Sequence, residues 1–223
     1  MKSQWRNLLK RIEPEGIPWP MSLLYNHLSG SSIFLGHYEM VAKDVKYFCK
    51  AGKILDIGTG PGRLLLALNR FEPGLELYGA DISEAMIDKA RDNFVAAGIT
   101  GIDLQVASAM RLPYPDRYFD AVISTGSLHH WKDPAAGLNE TYRVLKPGGH
   151  ALIYDLVRKM PSDVVRRVKD NFGVFRFTLL FLHSFEEPFY SPLEMEALAE
   201  KTLFKTGLTH FTGALCCLTM KKN

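Results

Sequence analysis

The sequence predicts an α/β chain built on a doubly wound, mostly parallel sheet. From Lys53 onward, short β-branched runs alternate with helical patterns, the signature of parallel strands joined by crossover helices. Three closely spaced glycines, in GTGPG from Gly58 to Gly62, follow the first of these runs and open a helix. Near the end, two strands are joined so tightly that they must be antiparallel, because a parallel crossover needs about a dozen residues.

Taken in order, the first fifty residues read as a helical segment broken in two by IPWP, a lid before the main domain of residues 51–223. KILDIG, from Lys53, is the first strand, and RLLLALNRF the helix after the glycines. LELYGAD is the second strand. SEAMIDKARDNFVAAG follows as a helix with Ser83 as its N-cap and Gly98 closing it. IDLQVAS and DAVISTG are the next two strands, joined by the proline-bearing loop RLPYPDRYF. Asp133-Pro134 starts a helix, since proline suits the first helical position. That helix ends at the KPGG turn, and HALIYDL is the fifth strand. The stretch 157–190 shows no strand pattern and reads as a phenylalanine-rich helical insert. SPLEMEALAEKTLF then carries a capping box in Ser191 and Glu194, with Pro192 at the first helical position. The last two strands meet at Thr212-Gly213, giving the sheet one antiparallel strand near the C-terminus and helices on both faces, a Rossmann-like arrangement.

Composition narrows the function. The hydrophobic fraction of 47% and charged fraction of 23% are those of a globular domain. A net charge of +3 is too mild to argue for nucleic acid as partner. Cys49, Cys216 and Cys217 have neither disulfide-framework nor zinc-type spacing, so no metal is expected and a reducing, cytoplasmic location fits. The most apolar stretch, GVFRFTLLFLHSF, is too short for a membrane span and is interrupted by Arg176.

In a doubly wound sheet, ligands bind at the carboxyl ends of the strands near the switch point, where Gly58, Gly60 and Gly62 fall. Glycine lets a ligand lie on the main chain, and the helix behind directs its positive end at it. Asp81 ends the second strand about twenty residues on, where a carboxylate can accept from both hydroxyls of a ribose. Nicotinamide cofactors share this geometry, but their fingerprint spaces the third glycine one residue later. Asp56 would also repel a pyrophosphate, whereas it would attract a cationic amino-acid moiety. Asp56 can alternatively brace its own loop. The ligand with a ribose, an ammonium and a sulfonium is S-adenosylmethionine.

Four ordered motifs, ILDIGTGPG, GADIS, LPYPDRYFDAVISTGSLHHW and YRVLKPGGHALIYD, resemble the class I S-adenosylmethionine-dependent methyltransferases. The resemblance runs from Lys53 to Asp155 and is strongest to the small-molecule branch of ubiquinone/menaquinone-type enzymes. It implies that Gly58, Thr59, Gly60 and Gly62 run beneath the cofactor, with Asp56 near its ammonium. Asp81 would hold the ribose and Ile82 pack on the adenine. Ser108, Ala109 and Met110 stand where relatives often carry Asp-Ala, so Ser108 would meet the adenine amino group without charge assistance. Ser124, Thr125 and Gly126 would face the methionine end. His130 is the candidate base, with packing over the cofactor as its plainer role, and His129 and Tyr25 are candidates for the acceptor site, His37 a further one. Tyr154 and Asp155 reach the same edge, one of them expected to turn into the sheet. Phe172, Phe175, Phe177, Phe181, Phe185 and Phe189 would form either an apolar lid or core. The implied activity is methyl transfer from S-adenosylmethionine, leaving S-adenosylhomocysteine, to a small, partly apolar acceptor. A nucleic-acid methyltransferase and a non-catalytic cofactor binder are the alternatives; the former commonly carries Asn-Pro-Pro-Tyr where this chain has STGSLHHW.

Overall fold

The computed structural model describes residues 32–174 and 189–223. Tyr25, Phe175, Phe177, Phe181 and Phe185, together with the helical reading of residues 1–31, lie outside the described residues, as does the side chain of Phe172. The elements are α1 (Ser32–Phe48), β1 (Gly52–Ile57), α2 (Arg63–Phe71), β2 (Leu75–Asp81), α3 (Glu84–Ala96), β3 (Asp103–Val106), β4 (Phe119–Thr125), α4 (Pro134–Val144), β5 (Leu145–Asp155), α5 (Ser162–Phe172), α6 (Pro192–Glu200), β6 (Leu208–Thr212) and β7 (Leu215–Lys221).

One seven-stranded sheet has the order β3-β2-β1-β4-β5-β7-β6. The first five strands pair in parallel. β7 runs against both β5 and β6, so it is the one antiparallel strand, as the tight turn at Gly213 requires. The chain winds outward from β1 to β3 and then returns to place β4 on the other side of β1. That reversal is the switch point, and it opens a crevice above the carboxyl ends of β1 and β4.

The central strands β1, β4 and β5 are largely apolar on both faces because both are covered, as parallel sheets demand. Ile54, Ile123 and Leu152 face a core completed by Val41 and Val45 of α1, Leu64, Leu65 and Leu68 of α2, and Phe94 of α3. Leu55, Val122 and Ile153 face the opposite core, built with Leu138 of α4 and Met195 of α6. Alternation also divides the end of β5: Tyr154 turns into the first core, while Asp155 faces the other way, toward His129.

Most local signals act as their chemistry predicts. Asp133 accepts from the Ala136 N–H at 3.0 Å with proline behind it, and Ser191 and Glu194 close a reciprocal capping box. Three details differ. Ser83 stands at the N-cap of α3, but its side chain caps nothing; its N–H instead donates to Asp81 Oδ1 at 2.9 Å. α6 stops at Glu200, four residues short of Phe204, with Thr202 bonding back to Ala199. KPGG is not a separate turn: β5 starts at Leu145, straight after α4, and absorbs an irregular register between Phe119 and Ala121.

One close approach in this frame shapes the crevice. A Cβ on Gly137, in α4, would lie 2.5 Å from the ring of Trp131. Alanine is the better helix former by about 1 kcal/mol, yet the indole is rigid and buried. Gly137→Ala is therefore expected to destabilise the chain by about 1–3 kcal/mol, the cost of overpacking. Urea unfolding checks it, and a stabilised variant would show that the indole yields freely.

Candidate functional site

The loop after β1 is held by the end of β2. The N–H groups of Gly58 and Thr59 both donate to the Ala80 carbonyl, at 2.8 and 3.0 Å, and the Gly60 N–H donates to Asp81 Oδ2 at 2.8 Å. Such a tight wrap needs left-handed backbone, and Gly58, Gly60 and Gly62 have φ of 70°, 52° and 73°. Only glycine adopts this repeatedly at low cost. Close approach adds a second reason: a Cβ on Gly58 would lie 2.6 Å from Ser127, and one on Gly62 2.7 Å from the Phe94 ring. Asn93 Nδ2 pins the far side of the loop through the Pro61 carbonyl at 2.8 Å.

Ser127, just past β4, ties the opposite wall to this loop. Its Oγ lies 2.6 Å from Ser124 Oγ, bonds to the Ile57 carbonyl at 3.3 Å and accepts from Trp131 Nε1 at 3.1 Å. The crevice between the walls encloses about 660 Å³ of atom-free space, the open solvent at its mouth included. Gly58, Gly60, Asp81, Ile82, Ser108, Ala109, Gly126 and His130 line it, all of them sequence candidates. Both oxygens of Asp81 accept backbone N–H bonds, from Gly60 and Ser83, which aim the carboxylate and leave lone pairs for a ligand. Burial raises the Asp81 pKa, opposed by those two N–H groups.

Other candidates sit behind the wall. Asp56 is buried under the loop; its Oδ1 and the Thr59 hydroxyl have no hydrogen-bond partner among the described residues. Burial, with the Asp81 charge adding to it, pushes the Asp56 carboxyl up to about 7. A cationic group above the loop would relieve this, so the acid suits an ammonium-bearing ligand. Gly62 serves the fold, standing in left-handed geometry at the start of α2. Ser124 is fully buried in its bond to Ser127, and the Thr125 hydroxyl is buried with no partner among the described residues. Met110 also departs from expectation, because Ser108 Oγ already accepts its N–H at 3.3 Å.

The two histidines part. His130 reaches the crevice. His129 is buried, its ring 3.9 Å from that of His130 and 4.4 Å from Phe189. Asp155 holds His129 by Nδ1 at 2.9 Å and by its backbone N–H at 3.1 Å. His129 therefore stands behind the crevice rather than on its wall, and its Nε2 has no partner among the described residues. Tyr154 lies in the first core with its hydroxyl on Asp44, and His37 Nε2 accepts from the Ala214 N–H at 3.4 Å, so neither faces the crevice. Phe189 is core, against His129.

Sequence reading did not single out Ile57, Met86, Ala107 or Ser127 on the wall. Met86 had a usable signal, an apolar side chain in the first turn of the helix after Asp81. Ser127 had only its place beyond the strand end.

A methyltransferase-domain family profile matches residues 55–153. Demethylmenaquinone methyltransferase of Thermus thermophilus is 34% identical over 151 residues, covering 61% of this chain and 68% of that one. Ubiquinone/menaquinone biosynthesis C-methyltransferase of Desulfotalea psychrophila is 38% identical over 105 residues, which span 47% of this chain but only 42% of the relative's length. Among solved structures, a SAM-dependent methyltransferase from Aquifex aeolicus superposes with a TM-score of 0.70 at 20% identity, covering 91% of this chain and 98% of that one. That likeness bears on the fold.

The buried acid gives a pH prediction with a definite sign. The Asp56 pKa is raised above its ordinary 3.8 to about 7, so the folded chain keeps a proton that the unfolded chain has lost. Its contribution is complete below about pH 4 and is lost as pH rises to about 7, by up to about 4 kcal/mol. In ligand-free protein, the stability of wild type relative to Asp56→Asn should fall across that window. A difference flat with pH in denaturant titrations at pH 4 to 8 would contradict it.

Proposed function

Since this chain belongs to the class I S-adenosylmethionine-dependent methyltransferases, we propose that it methylates a small, partly apolar acceptor of quinone type. The observation that carries the reading is Asp81, fixed by two backbone N–H groups at the end of β2 and turned into the crevice beside the glycine loop. The relatives from Thermus and Desulfotalea, both named for quinone methylation, support the acceptor class.

When bound, S-adenosylmethionine supplies a methyl group already activated by its sulfonium. This chain then has to bind, orient and exclude water. In this reading Asp81 takes the ribose hydroxyls, while Ile82 and Met86 give an apolar seat to the adenine. Ser108 and Ala109 face its edge. Gly58, Thr59 and Gly60 form the bed of the methionine end, and Asp56 beneath them balances the ammonium charge. Gly62, Met110, Ser124 and Thr125 act from behind the wall, by holding loop and strand ends in place. Gly126 and Ser127 bound the end where the acceptor meets the methyl. Trp131 keeps that end dry. His130, on the wall, is placed to receive a proton where the reacting atom of the acceptor carries one. His129, braced by Asp155, packs against the ring of His130, tilted 44° to it, and so holds it in place.

The nucleic-acid alternative has less support, because the net charge is +3 and the rim motif STGSLHHW lacks that class's signature. No helix among the described residues is long and apolar enough to cross a membrane. All three cysteines are free, which supports a reducing, cytoplasmic setting.

Calorimetric titration with S-adenosylhomocysteine tests the cofactor reading. Binding in roughly the micromolar range is expected for wild type. Asp81→Ala should weaken it by about 1–3 kcal/mol, as hydrogen bonds to a charged acceptor are lost. Absence of binding at millimolar ligand refutes the assignment.

A further inference from the structure

Three residues far apart in sequence meet outside the crevice. Asp44 of α1, His210 of β6 and Cys217 of β7 each offer one donor atom, and the three atoms lie within 4.8 Å of one another. We propose that these three side chains bind a single zinc ion. The set mixes carboxylate oxygen, imidazole nitrogen and thiolate sulfur, a combination that selects zinc over magnesium or calcium.

The surroundings are those of a ligand set held in place. Tyr154, fully buried, donates its hydroxyl to Asp44 Oδ2 at 2.7 Å. Thr219 Oγ1 lies 3.4 Å from His210 Nδ1 and 3.7 Å from Cys217 Sγ, and so leaves Nε2 to Asp44. Partners of this kind orient ligating carboxylates and imidazoles in metal sites. Strand register fixes the rest, since Cys217 pairs with Tyr154 on one side and with His210 on the other.

In the pairing seen here, Asp44 Oδ2 and His210 Nε2 are 2.8 Å apart. Zinc bonds of about 2.0–2.2 Å in a tetrahedron need those atoms to part by about 0.5 Å, and the sulfur to close in by up to about 1 Å. The Asp44 and His210 side chains are 19% and 37% exposed, so they have room to move and leave a side open for water as fourth ligand. Binding displaces the Cys217 thiol proton to solvent and forms the Zn–S bond, and the proton between His210 Nε2 and Asp44 leaves Nε2 for Nδ1, which faces Thr219, or for solvent. The ion clamps α1 onto the strands beyond β5. Ligand spacing in sequence gives no warning of such a site, since Asp44 and His210 are 166 residues apart.

The experiment uses the full chain stripped with chelator. Zinc chloride titrated by calorimetry is expected to bind one ion per chain, and cobalt(II) in its place to give thiolate-to-metal charge-transfer absorption. His210→Gln, at a partly exposed position, should weaken zinc about tenfold or more, and Cys217→Ser should remove the charge-transfer band. No stoichiometric uptake by wild type overturns the proposal, and so does uptake unchanged in both variants, which places the ion elsewhere. S-adenosylhomocysteine titrated into the same samples reads the crevice separately, because none of the three ligands lines it.

Discussion

The bond from the Gly60 N–H to Asp81 sets the rest of the site. It joins the loop after β1 to the end of β2, so the glycine turn and the acid that faces the ligand are one unit. A loop that folds back this far leaves the right-handed region three times in five residues, and a side chain at two of those positions would strike Ser127 or Phe94. The strand end, the turn and the helix behind it therefore constrain each other. The crevice follows from that arrangement before any ligand enters.

Much of this was legible in the sequence because each signal had a local cause. Short β-branched runs between helical patterns, glycines after a strand and an acid ending the next one locate the crevice without reference to any distance. The antiparallel last strand followed from loop length alone. What could not be read is which way a side chain at a strand end turns. Tyr154 and Asp155 are neighbours, and only the pleat sends one to Asp44 and the other to His129. Likewise His129 and His130 look equivalent in SLHHW, yet the short turn that holds them buries one and presents the other.

Capping shows the same limit on a smaller scale. Ser191 and Asp133 act as their motifs require. Ser83 stands in an equally good position, but the Asp81 carboxylate claims its N–H, and its hydroxyl closes no cap. The local rule fails there because the Met86 N–H, which a capping hydroxyl would take up, donates to the Ser83 carbonyl instead, at 3.0 Å. The long-range cluster at Asp44 is a further case, since no window along the chain contains it.

Ser127 carries a last consequence. One hydroxyl touches Ser124, the Ile57 carbonyl and the Trp131 indole, so both flanks of the crevice share a single rivet. A bed so braced pays little reorganisation on binding. Its proposed contacts go to the ribose, the adenine and the amino-acid end, which donor and demethylated product have in common. Such a bed holds both with similar strength, and uniform binding of this kind adds nothing to the chemical step. Under the proposed function, turnover in the cell would then follow the ratio of the two nucleosides more closely than the amount of either.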